Sequence, residues 1–462
     1  MRDRLRTASA VVLLSLGCAL PGAQPLRPAA EISAQPLPSE SLLVEAVLAL
    51  RNPLLGERAI DWSDGLDPQE AGLVAAANNP ELRAARAARA EAAAELRGAG
   101  LLPNPGLGFE AAQPTSGPDS ESLVLSYGLS LSIDTQSLVT RSARVGAARA
   151  DADSVDLGLT WREWQVAQAA RLEAVRVARL RRRLEIARAE VEYLEETGAN
   201  LERALASGDM SLLGLGVQRA ALEGARLVRR ELESAATSSE AALRGQLGLA
   251  PGSDLPMLIP TPPASREVID RLPALRAEPE GCLSRRVDLE SLRVAYDAQE
   301  ARLRQAVLEQ LPAVSVGLSH QRDESQIRFL GGFVNVSLPV FDHAQARIAL
   351  AEATRAKLGL EFEARVLDTR REIDSLARAL ELDARQLAEV EKSLPELTRL
   401  EAAERGAANR GDVDRTAYQA VRSALFELRL AQETLAQAQD ETLVGLELAC
   451  GGDLRALAER RS

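Results

Sequence analysis

The chain predicts a mainly α-helical protein with a smaller β portion, in which one unit of strand pair and helical hairpin is used twice. Three observations predict it. Apolar residues at heptad spacing run far past the length of an ordinary helix, alternating segments interrupt the helices in pairs, and the same order of elements recurs. Short helix, strand pair, very long helix, turn and long helix occupy about 78–248 and again about 285–449. Asn79-Pro80-Glu81-Leu82 answers to Arg286-Val287-Asp288-Leu289, Leu102-Pro103 to Leu311-Pro312, Ser130-Leu131 to Ser337-Leu338, and Gly208-Asp209 to Gly411-Asp412. The offset is 207–209 residues at the first three points and 203 at the last. The first copy therefore holds about one extra helical turn, which leaves helix phase nearly unchanged.

Composition agrees with long helices. Aromatic residues make up 3% of the 462, while Ala, Leu, Arg and Glu dominate, as in helices with small-residue seams rather than a thick core. A hydrophobic content of 46% excludes wholesale disorder. The net charge of −12, with basic residues spread along the helices, argues against a nucleic-acid partner.

Residues 1–17 read as an export signal: Arg2, Arg4 and Arg6 precede an apolar run from Ala8 to Leu20 that is too short to span a bilayer. Ser15-Leu16-Gly17-Cys18 resembles a lipobox, which makes Cys18 a candidate for lipidation; cleavage after Ala23 is the alternative. No later stretch reaches the ~18 apolar residues of a transmembrane helix, so any membrane insertion would use strands. Residues 18–66, rich in Pro and Ser, read as an extended arm with one short helix near Ser41–Leu50.

The first repeat, 67–250, opens at Asp67-Pro68, an N-cap followed by proline at the first helical position, and a helix is expected from there to Arg97. Gly98, Gly100, Pro103 and Pro105 end it. Strands are expected over about 106–114 and 122–132, where Leu123, Leu125, Tyr127, Leu129 and Leu131 alternate with small or polar residues. The second copy offers about 313–321 and 327–338. Such lengths suit a tilted bilayer crossing, and a soluble sheet with one solvated face fits the same pattern. Hairpins follow at about 141–247 and 344–449. Their seams are Val177, Leu180, Leu184, Ala187, Val191 and Leu194 in copy one, and Ile373, Leu376, Leu380, Leu387, Val390, Leu394 and Leu397 in copy two. A helix from Arg141 to Ala206 would be roughly 100 Å long. Each long helix ends at a turn in which Gly stops one helix and Asp caps the next. Residues 251–284 join the repeats, 285–450 form the second, and 451–462 are a tail.

Taken together, Leu66-Asp67-Pro68-Gln69-Glu70-Ala71, Asn78-Asn79-Pro80-Glu81-Leu82, Leu101-Leu102-Pro103-Asn104-Pro105, Leu311-Pro312-Ala313-Val314-Ser315-Val316-Gly317 and Val336-Ser337-Leu338-Pro339-Val340-Phe341-Asp342 resemble the TolC-like outer-membrane efflux factors. The resemblance spans essentially the whole mature chain. It implies a homotrimer whose pooled strands form a 12-stranded β-barrel in outer-membrane lipid and whose antiparallel coiled-coil hairpins form a periplasmic α-barrel. It further implies an exit duct for small toxic compounds such as metal ions or drugs, fed through a periplasmic adaptor (membrane fusion) protein by an inner-membrane transporter of the RND type. No catalysis and no cofactor are implied. Copy one reads Leu131-Ser132-Ile133-Asp134 where copy two has Leu338-Pro339-Val340-Phe341-Asp342, so the first strand exit departs from the pattern.

In that frame Gly208, Asp209, Gly411 and Asp412 are the expected adaptor-docking turns at the tunnel entrance. Docking there would release ion pairs that hold the entrance shut. Copy two has Arg410 and Asp414 where copy one has Ser207 and Ser211, which makes the second hairpin the expected gate. Cys282 and Cys450, before the first helix and after the last helix of copy two, are candidates for a disulfide in an oxidising periplasm, against two buried thiols. His320 and His343 have no metal-site spacing. A duct for type I polypeptide secretion, or a periplasmic coiled-coil tether without a pore, are the alternative functions; a tether has no use for two alternating strand pairs.

Overall fold

A computed structural model describes residues 22, 24–29, 31, 40–56, 60, 65–116, 124–206, 212–251, 266–410 and 415–454. The chain divides into two units, Met1–Ser39 and Glu40–Ser462, and every element below lies in the second.

After α1 (Glu40–Leu48), α2 spans Pro68–Asn78 and α3 spans Pro80–Gly100. Asp67 caps α2 through a reciprocal pair: the Glu70 amide donates to Asp67 Oδ1 at 2.8 Å, and the Asp67 amide donates to Glu70 Oε2 at 2.9 Å. The unbroken helix expected from Asp67 to Arg97 is instead two helices. Pro80 lacks an amide hydrogen and pushes Asn79 out of the helical region, to ψ 128°, and the Asn79 side chain then accepts from the Glu81 amide to start α3.

β1 (Gly106–Ala112), β2 (Ser126–Asp134), β3 (Ala313–Arg322) and β4 (Arg328–Ser337) form one antiparallel sheet in the order β1-β2-β3-β4. β1 stops at Ala112, short of the expected 114, where Pro114 could not donate to a ladder. β2 is displaced from 122–132 to Ser126–Asp134, because Ser126 is the last residue with a partner on β1. Its far end runs to Asp134, whose carboxylate accepts from the Gln136 amide at 3.0 Å and so starts α4 (Gln136–Val139).

Two hairpins of matching size follow. α5 (Arg141–Ala206) and α10 (Gln345–Arg410) each contain 66 residues, and their return helices α6 (Leu212–Leu247) and α11 (Arg415–Cys450) each contain 36. At ~1.5 Å per residue the long helices run about 100 Å. Leu180, Leu184 and Ala187 of α5 are buried against Leu232 and Ala236 of α6, and Val191 and Leu194 against Ala225. The joining segment 251–284 is expected as a linker, yet it holds α7 (Arg266–Ala277) and α8 (Glu280–Leu283), which lie before α9 (Val287–Leu308). Leu272 of α7 and Cys282 of α8 are buried with Ile373 and Leu380 of α10 and Leu446 and Cys450 of α11.

The duplication repeats a junction with different side chains. The Asn79 side chain donates to the Gln246 carbonyl at 3.1 Å, and the Arg286 guanidinium donates to the Ala449 carbonyl at 3.1 Å. Each return helix then ends on a glycine with positive φ, Gly248 at +65° and Gly451 at +66°. A side chain on Gly248 would come within 2.7 Å of the Asn78 carbonyl oxygen, so the close approach of α2 also requires glycine. Among the described residues no helix is long and apolar enough to cross a membrane.

Candidate functional site

The sheet has two chemically distinct faces. Cross-strand register puts Leu107 beside Leu131 and Leu318, Phe109 beside Leu129, and Ile133 beside Val316 and Val334. Apart from Tyr127, His320, Arg322 and Arg328 toward one end, this face is continuously apolar or glycine, and Leu107, Phe109, Leu318 and Val334 are each more than 60% exposed. The opposite face carries mostly small and polar residues, Gly106, Gly108, Gly128, Ser130, Ser132, Ser315, Gly317, Ser319, Gly331, Asn335 and Ser337, together with Glu110, Gln321, Phe329 and Phe333. Phe333 covers Gly317 there: a Cβ on Gly317 would lie 2.5 Å from the Phe333 ring. Among the described residues no layer packs on the apolar face, whose leucines and valines are exposed, and a ten-residue strand tilted by about 40° spans roughly 25 Å, the height of an outer-membrane apolar band. Among the described residues β1 and β4 each leave one edge unpaired, so the sheet is an open fragment.

At the other end of the chain, α5 of copy one lies against α11 of copy two, and charged pairs cross the seam in antiparallel register. Arg171 meets Glu447 at 2.7 Å, Arg176 meets Glu441 at 2.9 Å, and Arg179 meets Asp440 at 2.8 Å and Glu433 at 3.0 Å. Nearer the hairpin tips Arg422 meets Glu190 at 2.9 Å, and its guanidinium carbon sits 3.2 Å from the centre of the Tyr193 ring. Tyr193 donates to the Tyr418 hydroxyl at 3.3 Å, Tyr418 donates to Glu401 of α10 at 2.9 Å, and Arg405 completes the set on Glu401 at 2.9 Å. A groove of about 420 Å³ opens beside it, lined by Arg182, Leu394, Phe426 and Arg429 among others.

Burial sets the electrostatics of this seam. It pushes the Glu190 carboxyl above the usual range, and the attraction of Arg422 only partly offsets that. Burial likewise raises the Glu447 carboxyl against the pull of Arg171. It raises the Tyr418 phenol, with Tyr193 and Glu401 adding to the effect. For Arg179, burial alone would favour loss of the proton; Asp440 and Glu433 outweigh it and raise the group.

Gly208, Asp209, Gly411, Asp412, Asp414 and Cys18 lie outside the described residues, as does the side chain of Arg410, the last residue of α10. Cys282 and Cys450 are joined by a disulfide that closes a sequence separation of 168. His320 lies on the apolar face of β3, its ring centre 6.4 Å from that of Tyr127, and His343 is exposed. Among the described residues no cluster of three or more His, Cys, Asp or Glu could hold a metal ion. Sequence reasoning missed the α5–α11 seam, whose partners are more than 200 residues apart. Sequence spacing gives no signal for it, because Arg179, two residues after Val177 and one before Leu180, falls at an off-seam heptad position where a solvated charge is ordinary.

No protein-family model matches the chain, and no curated protein does. Solved structures do. CusC, described with the conformational changes that accompany folding and transmembrane channel formation, is 18% identical over 86% of this chain and 96% of its own, with a TM-score of 0.66. The outer membrane protein VceC of Vibrio cholerae is 16% identical over 84% and 96%, with a TM-score of 0.67. The open state of the MtrE outer membrane channel of Neisseria gonorrhoeae is 14% identical over 88% and 96%, with a TM-score of 0.62. The chain has the fold of these channels across nearly their whole length.

Proposed function

We propose that the chain is a TolC-like outer-membrane efflux factor: three copies pool their sheets into one barrel and their hairpins into one tunnel, the exit duct of a tripartite efflux system. The observation that carries this reading is the two-faced open sheet. A wall of leucine and valine on one side and mostly small or polar residues, with Phe329 and Phe333, on the other matches lipid outside and water inside, and the two edges left unpaired among the described residues are satisfied in lipid only by closure with other copies. A soluble tether would leave that apolar face in water. The likeness in fold to outer membrane channels supports the same reading.

The duct performs no chemistry; it passes small toxic compounds, metal ions or drugs, delivered through a periplasmic adaptor by an inner-membrane transporter of the RND type. Cys18 carries a lipid anchor. The adaptor docks on the turns Gly208-Asp209 and Gly411-Asp412, and Arg410 and Asp414 gate the entrance. The paired groups around Arg422 hold α5 against α11 just above those turns, and docking releases them. Purified protein should run as a heat-modifiable trimer from outer-membrane fractions and conduct ions across a planar bilayer; a soluble, non-conducting species overturns the duct. Reversing the charge of Asp412 should weaken both adaptor crosslinking and efflux, and no change in either removes the docking assignment.

A further inference from the structure

The apolar face of the sheet carries formal charge at one height only. Arg322 of β3 and Arg328 of β4 are directly opposite each other, at the strand ends farthest from the helices. The remaining residues of that face are apolar or glycine, apart from Tyr127 and His320, and none is acidic. Like charges facing each other on one sheet face repel. Neither arginine makes an ion pair or side-chain hydrogen bond among the described residues, and Asp323, the nearest acid in the turn, is engaged in closing it by accepting from the Ile327 amide at 2.8 Å. Tyr127 is paired across the strands with Arg322, at the level where aromatic side chains of membrane barrels meet the headgroups.

We propose that Arg322 and Arg328 form a site for the phosphate of an anionic lipid headgroup in the outer leaflet, one site per chain. The proposal rests on the reading of the sheet as barrel wall. A phosphate between the two guanidinium groups turns a repulsive pair into two charge-assisted contacts, and the planar donor fork of arginine matches phosphate oxygens. None of the paired strand residues of that face is acidic, and Glu324 lies beyond them in the turn, so an anion on the face meets no carboxylate among them. The acyl chains have a surface to lie on, because Leu330, 82% exposed, follows directly below Arg328, and Leu318, 63% exposed, continues the same face one step further down, beyond His320. Tyr127 flanks the headgroup at the level of the arginines, and His320 lies one step below it, opposite Leu330. A soluble phosphate would use the arginines without the leucines.

The test uses the full-length trimer in phosphatidylcholine nanodiscs with increasing phosphatidylglycerol, reading retained lipids by native mass spectrometry. Each basic residue near an anionic surface contributes about fivefold, so with two per site wild type should prefer phosphatidylglycerol by about twenty-fivefold, with three tightly held lipids per trimer. Arg322→Gln with Arg328→Gln should lose the preference, and Arg322→Lys with Arg328→Lys should keep part of it; heat-modifiability reports that each variant is assembled. A Gln double variant with wild-type preference overturns the site, as does a wild type without one. Inositol hexakisphosphate that displaces phosphatidylglycerol fully at equal concentration overturns the lipid assignment. A trimer that inserts and conducts while failing these tests leaves the duct standing, whereas a chain that enters no bilayer removes both.

Discussion

Arg422 joins three helices through one guanidinium. It pairs with Glu190 of α5 at 2.9 Å, stands 3.6 Å from Glu401 of α10, and stacks on Tyr193. A buried pair of this kind has small net worth, since Coulomb attraction is set against the cost of removing both charges from water, but removing one partner leaves the other uncompensated. Arg422→Gln should therefore cost about 3 kcal/mol in stability and raise single-channel conductance, measured by urea unfolding and in planar bilayers. Arg422→Lys keeps the charge but not the flat stacking surface, and should fall between. The same cluster predicts a pH effect whose sign follows from Glu190. Facing Arg422, Arg429 and Glu401, this carboxyl holds its proton to higher pH than an ordinary one because of burial. Opening the seam wets it and returns it to the usual range, so the closed form binds the proton more tightly. Acidification from neutral pH toward the ordinary carboxylate range then favours closure, and rising pH through the raised value removes that advantage. Conductance should fall on acidification, and Glu190→Gln should flatten the profile; a variant with an unchanged slope would assign the effect elsewhere.

At the scale of elements, the long helices were legible because burial and heptad spacing coincide. Val177, Ala187, Leu194, Ile373 and Leu380 are each 2% exposed or less, at the positions their spacing marks. Breaks were less legible. Pro80 splits a helix expected to be continuous, while α10 runs through Pro395 without ending. The difference is local chemistry: Asn79 supplies a cap immediately before Pro80, whereas Leu394 precedes Pro395 and the Ser393 hydroxyl is spent within the helix, donating to the Glu389 carbonyl at 3.1 Å. Nor could spacing reveal α7 and α8, which owe their place to packing on the other repeat unit's helices. The disulfide between Cys282 of α8 and Cys450 at the end of α11 belongs to this scale too, tying the joining segment to the last helix across 168 residues. Loop closure of that length stabilises by up to about 5 kcal/mol, and removal of native disulfides costs roughly 2–5 kcal/mol. Cys282→Ser should lower the unfolding midpoint by a corresponding amount, and reductant should lower that of wild type equally while leaving the variant unmoved. A wild type indifferent to reductant would count against the bond.

For the whole molecule, the decisive question is which way the sheet faces, because alternation alone fits a soluble sheet as well as a barrel wall. Neighbouring residues of β3 separate the two. Leu318 stands on the apolar face between Leu131 and Gly332, and Ser319 stands on the opposite face between Ser130 and Gly331. In a barrel closed by three copies, Leu318 meets lipid near mid-height and Ser319 meets the water-filled interior. An arginine on the lipid face near the midplane costs about 2–4 kcal/mol per chain, incurred three times in a trimer. Leu318→Arg should therefore abolish heat-modifiable trimers in the outer membrane. Ser319→Arg should leave assembly intact and place three positive charges in the lumen, lowering conductance and shifting ion selectivity toward anions, read as a change in reversal potential under a salt gradient. A soluble sheet packed or solvated on the glycine-serine face predicts a different result: adding a charge to an exposed leucine would improve solubility, and no selectivity would exist to shift. Equal tolerance of both substitutions would mean that neither face meets lipid, and the closed barrel would fall with it.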